Sequence, residues 1–241
     1  MTAHFVITRP LENCHLLKEK LPSKFITYLP VMRYEEINHA LEIKNADAYD
    51  YIITSQYAAK MILKYKFAPE STYYCVGAIT EYILKNNGYI TRTSSTRNVS
   101  NLINVVKDTH HSRRKLLYLC GETIKQPIHN ILENYGIHCT QRVIYKTTPI
   151  QNNLHLVLNA KTTKTIVFYS KQSYDLFIKD VTAHNLISTL QKCHAVWVLP
   201  ALSAERALHY TDNVLWKNIK VIHSTNDLVH FIHKENTYEP V

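Results

Sequence analysis

Short continuous apolar runs alternate with stripes of helical spacing along this whole chain, and that alternation restricts it to one broad architecture. The runs predict strands at 5–8, 25–31, 51–54, 72–76, 89–91, 116–120, 139–144, 165–169, 195–199 and 221–223. Between them lie apolar stripes at helical spacing. Ile128/Ile131/Leu132/Tyr135 is opened by Pro127 and closed by Gly136, which suits a helix start and stop. Ile79/Tyr82/Ile83 precedes Gly88, Leu102/Val105/Val106 follows a predicted N-cap at Ser100, and Leu228/Phe231/Ile232 closes the chain. Strand–helix alternation of this kind implies parallel sheets with helices on both faces. Ten strands are too many for one compact sheet of this length, so two five-stranded α/β units are expected. Two polar stretches, Arg33–Asn38 and Lys146–Asn153, read as crossings between them. The middle of the chain is then one domain, and its two ends together form the other.

One local design occurs twice. Tyr51–Ile53 leads through Thr54-Ser55-Gln56 into a helical stripe, and Thr165–Tyr169 leads through Ser170-Lys171-Gln172-Ser173 into another. A buried strand that ends at a helix start points free N–H groups and partial positive charge outward. Such a corner suits an anion, and two corners suit a ligand carrying several. Plain helix capping by Ser55 or Ser173 is the structural alternative.

Composition narrows the partners. A hydrophobic share of 46% with 20% charged residues fits a globular chain, and no stretch approaches the roughly 18 apolar residues of a membrane span. The N-terminus lacks the basic flank and cleavage site of a signal peptide and reads as a first strand. The five cysteines are scattered without a CxxC pair, as expected of reduced core thiols in a cytoplasmic protein. Net charge is +9, which favours polyanionic partners. Yet the basic residues are dispersed and no nucleic-acid motif occurs, so nucleic-acid binding is not expected. Neither GxGxxG nor GxxxxGK[ST] is present, against a nucleotide fold. The 14 histidines show no HExxH spacing, so no metal is expected, and a GxSxG elbow is also missing.

A set of short motifs in order carries a resemblance: Thr54-Ser55-Gln56, then Tyr74-Cys75-Val76-Gly77, Leu117-Tyr118-Leu119-Cys120-Gly121-Glu122, Leu132 with Gly136-Ile137, Val143-Ile144-Tyr145-Lys146-Thr147 and Phe168-Tyr169-Ser170-Lys171-Gln172-Ser173. In order and spacing, the chain resembles the uroporphyrinogen-III synthase family across nearly its whole length. The resemblance implies two flavodoxin-like parallel α/β domains joined by a two-stranded linker, with a ligand cleft between them. Domain one is then 1–34 with 152–241, domain two is 38–146, and 35–37 and 147–151 are the linkers. It further implies a monomeric lyase that uses no cofactor or metal. Its substrate is hydroxymethylbilane, a linear tetrapyrrole with eight carboxylates, which it closes with loss of water and inversion of the last ring.

Carried residue by residue, the resemblance makes Tyr145 the catalytic group, donating a hydrogen bond to the departing hydroxyl of the first ring. A phenol does this at neutral pH without titrating. Thr54, Ser55, Gln56, Ser170, Lys171, Gln172 and Ser173 would hold acetate and propionate arms. Gly77 and Gly121 belong to the matched turns. Lys125 stands where many members carry a basic residue, and its point charge grips a carboxylate more loosely than arginine would. The chain departs from the family at Leu199–Arg206, where relatives carry a glycine-containing turn, and Ser203 is the nearest hydroxyl. Two other readings stand beside this one: a non-catalytic two-domain binder of an anionic small molecule, and a basic nucleic-acid-associated α/β protein.

Overall fold

A computed structural model describes residues 3–94, 98–110, 113–124, 126–158, 163–199, 209–211 and 214–237. By contact, the chain divides into two units, 1–33 with 148–241 and 34–147.

The first unit is built on a five-stranded sheet. Its strands are β1 (His4–Ile7), β2 (Ile26–Tyr28), β9 (Lys164–Phe168), β10 (His194–Val198) and β11 (Asn218–Ile222), in the order β11-β10-β9-β1-β2. All neighbours pair parallel. Alternate residues therefore face opposite layers. Val6, Ile166, Phe168 and Trp197 pack under α6 (Leu154–Leu158) and α7 (Lys171–Ala183). Phe5, Ile7, Val167 and Val196 pack under α1 (His15–Lys20) and α8 (Thr225–Thr237).

The second unit has six strands: β3 (Met32–Glu36), β4 (Tyr49–Ile53), β5 (Thr72–Cys75), β6 (Ile90–Thr93), β7 (Lys115–Gly121) and β8 (Cys139–Pro149), in the order β3-β8-β7-β4-β5-β6. From β8 to β6 every pair is parallel. Tyr51, Ile53, Tyr73, Leu117 and Leu119 face α2 (Gln56–Lys64) and α3 (Ala78–Lys85). Ile52, Tyr74, Leu116, Tyr118 and Cys120 face α4 (Val99–Thr109) and α5 (Ile128–Glu133).

Three local expectations are corrected. The second sheet has six strands rather than five, because the polar crossings extend it: β3 covers part of Arg33–Asn38, and β8 runs on through Pro149. The Ile37 N–H donates to the Ile144 carbonyl at 3.0 Å, and the Ile150 N–H to the Val31 carbonyl at 3.0 Å. Position 31 is thus matched with 150 and position 37 with 144, one segment advancing as the other recedes, so the two segments pair antiparallel and add a sixth strand. The single strand predicted at 25–31 breaks after Tyr28, because Pro30 has no N–H for a ladder. The N-cap of α4 is Asn98, whose side chain accepts from the Asn101 N–H at 2.8 Å, rather than Ser100. All five cysteines are buried and none is in a disulfide, and burial pushes the Cys75 and Cys139 thiols up to about 12.

Asp50 ties the amino-terminal edge of the second sheet together. Its carboxylate is 2% exposed and accepts from the Thr72 N–H at 2.9 Å, with Arg114 at 3.7 Å and His110 at 3.4 Å. One side chain thus links the starts of β4 and β5 to the approach to β7. Removing it would leave the other groups buried without their anion. Asp50→Ala is expected to lower stability by about 3 kcal/mol in urea unfolding. Asp50→Asn, which can still accept from Thr72, is expected to cost less; equal stability of Asp50→Ala and the parent chain would contradict this role.

Candidate functional site

In open parallel sheets, ligands bind beyond the carboxyl ends of the strands, where the strand order reverses. In the second unit the reversal lies between β4 and β7, and in the first between β1 and β9. Thr54-Ser55-Gln56 follows β4, and Ser170–Ser173 follows β9. Both corners read from the sequence therefore sit at switch points of their own sheets.

In the second unit the Thr54 hydroxyl lies 3.1 Å from the Tyr118 phenol oxygen of β7, bridging the reversal. Ser55 is the N-cap of α2, its hydroxyl oxygen accepting from the Ala58 N–H at 3.0 Å. Gln56 opens the helix, half-buried. Gly77 makes the turn from β5 into α3 at φ +88°, a left-handed region that favours glycine, and α3 has no side-chain cap.

Tyr145 reaches this edge through an irregularity in β8. Cys120 pairs with Val143, but Gly121 pairs with Tyr145, so Ile144 is the extra residue of a β-bulge. In a regular strand Ile144 and Tyr145 would face opposite layers; here both join the cluster beneath α2. The Tyr145 ring lies against Gly121. A Cβ at that position would meet its Cε2 and Cζ at 2.7 Å and its oxygen at 3.0 Å. Behind the ring, the Glu122 N–H donates to the Tyr145 carbonyl at 2.9 Å. Gly121, predicted for substrate binding, thus has a packing role of its own. Burial pushes the Tyr145 phenol up to about 12, while its hydrogen bond with Ser55 acts in the opposite direction. The group is therefore a neutral donor throughout the physiological range.

In the first unit, the Thr8 hydroxyl donates to the Val167 carbonyl at 2.7 Å, closing the β1/β9 reversal. The next residue, Arg9, holds its guanidinium 4.1 Å from the centre of the Tyr169 ring. Tyr169 is raised chiefly by burial, with the Arg9 charge lowering it. Ser170 caps α7, its oxygen accepting from the Ser173 N–H at 3.1 Å. Ser173 is fully buried and donates to the Ser170 carbonyl at 2.8 Å. Its hydroxyl is committed to the corner rather than offered outward, and the cap expected of Ser173 is made by Ser170 instead. Lys171 is exposed and bridges to Asp175 at 2.5 Å, and Gln172 is exposed beside it. Lys125 and Ser203 lie outside the described residues.

Sequence reasoning missed Arg9. The signal was a basic residue one position beyond a strand end, in Thr8-Arg9-Pro10, but only the strand order shows that this end borders the switch point. It also missed Tyr34 and Tyr57, which pack on Tyr145 with ring centres 5.3 and 4.9 Å away. Among the described residues, no group of three His, Cys, Asp or Glu is placed to hold a metal ion, and no helix is long and apolar enough to cross a membrane.

Chemically, each edge offers a helix N-terminus whose N–H groups beyond the one taken by the cap suit carboxylates. The first adds a fixed guanidinium and the second a buried neutral phenol. Ser170→Ala is expected to cost about 1 kcal/mol in urea unfolding through the lost cap. Ser55→Ala should cost a similar amount. No stability change in either variant would remove the capping assignment.

A search of curated proteins finds no match to this chain. Two solved structures share its fold. Uroporphyrinogen-III synthetase from Helicobacter pylori matches with a TM-score of 0.62 at 12% identity, over 96% of this chain and 99% of that one. A mutant uroporphyrinogen III synthase from Thermus thermophilus matches with a TM-score of 0.59 at 12% identity, over 98% and 100%. At that identity the likeness is one of fold. The family model of uroporphyrinogen-III synthase HemD matches residues 25–209, most of the chain, including every corner described above except the Arg9 strand end. The chain belongs to the uroporphyrinogen-III synthase HemD family.

Proposed function

We propose that this protein closes hydroxymethylbilane into uroporphyrinogen III, with Tyr145 as the group that assists departure of the first ring's hydroxyl. Family membership supports the reaction, and one observation carries the residue assignment. Tyr145 is a buried phenol aimed by a β-bulge, seated on a glycine, at the carboxyl edge of a parallel sheet.

The reaction asks little of strong acids and bases. The carbon–oxygen bond of the hydroxymethyl group breaks, its electron pair leaves with oxygen, and a pyrrole nitrogen supplies the electrons that form an azafulvene. Oxygen leaves as water, the proton it takes up being balanced by the one the pyrrole nitrogen gives up, and the Tyr145 hydroxyl stabilises it by donating a hydrogen bond. The substituted carbon of the last ring then attacks the azafulvene carbon and forms a spiro centre. The older bridge bond at that centre breaks, leaving a second azafulvene on the neighbouring ring; the last ring's free α-carbon attacks it and loses its proton, which closes the macrocycle with that ring inverted. Closure without inversion competes in water, so the protein's task is to hold one conformer of a flexible chain. Positioning of this kind is worth several kcal/mol with no titrating residue pair.

The substrate's carboxylates supply the handles. Arg9, the α7 start at Ser170 and the α2 start at Ser55 are the groups we assign to them, with Thr54, Gln56, Gly77, Gly121, Lys171 and Gln172 around the two edges. Arg9 is the strongest of these, because a guanidinium held against an aromatic face can bind a carboxylate by a two-pronged hydrogen bond. We further take the protein to be a monomeric, cytoplasmic lyase with no nucleic-acid or membrane partner.

Incubation with hydroxymethylbilane and isomer analysis of the porphyrinogen test the reading. The type III isomer should dominate; only type I, as without protein, would overturn it. Tyr145→Phe is expected to lower kcat on the order of 100-fold with little change in KM. Arg9→Ala should instead raise KM about tenfold, and unchanged kinetics in both variants would remove these assignments.

A further inference from the structure

Tyr145 is enclosed by aromatic rings as well as by glycine. The Tyr57 ring centre is 4.9 Å from that of Tyr145 at an interplanar angle of 69°, and the Tyr34 centre is 5.3 Å away at 81°. Tyr34 and Tyr57 also meet each other, 4.6 Å apart at 34°. Three elements supply the slot: Tyr34 from β3, Tyr57 from the first turn of α2, and Gly121 from the end of β7.

Each contact restrains a different freedom of the Tyr145 ring. The bulge at Ile144 sets the side of the sheet on which it lies. Gly121 lets the ring press flat on the backbone, where any Cβ would push it away. Two edge-to-face neighbours oppose rotation, because the favourable quadrupole geometry is lost when a ring turns. Tyr57 sits two residues after Ser55, the cap of α2. The residue that packs on the ring thus belongs to a helix start fixed by its own cap.

We propose that Tyr57 and Tyr34 are positioning residues that hold the Tyr145 phenol in the orientation it needs, acting through their rings. The proposal rests on the reading of Tyr145 given above. A donor must sit within a fraction of an ångström of its acceptor, and a misplacement of about 1 Å costs on the order of 100-fold in rate.

The test uses the full chain with hydroxymethylbilane, following kcat, KM, the ratio of type III to type I product and the thermal midpoint. Tyr57→Ala is expected to lower kcat about 10- to 100-fold with KM within about twofold, and to raise the type I share. Tyr57→Phe should recover most of the rate, because the ring alone makes the contact. Unaltered kcat in Tyr57→Ala, a loss confined to KM, or a Tyr57→Phe variant as impaired as Tyr57→Ala would each overturn the proposal. Should Tyr57→Ala fail to fold, Tyr34→Leu and Tyr57→Leu are read by the same criteria, both expected to lose kcat rather than KM. Tyr145→Phe separates the two levels. Full turnover by that variant would sink the reading of Tyr145 itself, whereas its impairment beside a fully active Tyr57→Ala would sink only the positioning role.

Discussion

Parallel strand pairing is the constraint from which the rest of this molecule follows. It places the carboxyl ends of all the strands but the antiparallel β3 on one edge of their sheet, and with them the start of each following helix. Helix starts carry unsatisfied N–H groups and partial positive charge, so this edge is where an anion is best held. The reversal of strand order then separates two neighbouring helix starts and leaves room between them. In one sheet that place lies between β4 and β7, with Thr54, Ser55 and Tyr118; in the other it lies between β1 and β9, with Thr8, Arg9, Tyr169 and Ser170.

The two edges use the same backbone physics for different chemistry. Around Arg9, a fixed cation stands over an aromatic ring beside a capped helix start, which is an arrangement for holding charge. Around Tyr145, a β-bulge, a glycine and two tyrosine rings hold a phenol in apolar surroundings, and burial outweighs the hydrogen bond from Ser55 in setting its proton affinity. A neutral donor at an anion-binding edge suits a reaction in which water leaves and a polycarboxylate must be kept in one shape.

Much of this was legible residue by residue. Ser55 and Ser170 were readable as corner residues because a cap is a local motif, a hydroxyl between an apolar run and a helical stripe. The breaks that local patterns misplaced each involve a competitor nearby. Asn98 captures the cap expected of Ser100, because its side chain reaches the Asn101 N–H. Pro30 interrupts a run whose hydrophobicity alone looked continuous. Ser173 has the composition of a ligand-binding residue, but its hydroxyl turns back to the Ser170 carbonyl.

The alternation of apolar runs and helical stripes determined, without any coordinates, that the chain forms parallel α/β layers with hydroxyl-rich corners at strand ends. Those features depend on neighbours a few residues apart. Only the tertiary structure decided that Arg9 borders a switch point, that Tyr145 leaves the regular alternation of β8, and that Gly121, Tyr57 and Tyr34 enclose it. Each of these depends on which distant strand lies alongside and in what register. A bulge is defined by the partner strand's hydrogen bonds, and a close approach by a ring from elsewhere in the chain, so neither leaves a period in the sequence to be read.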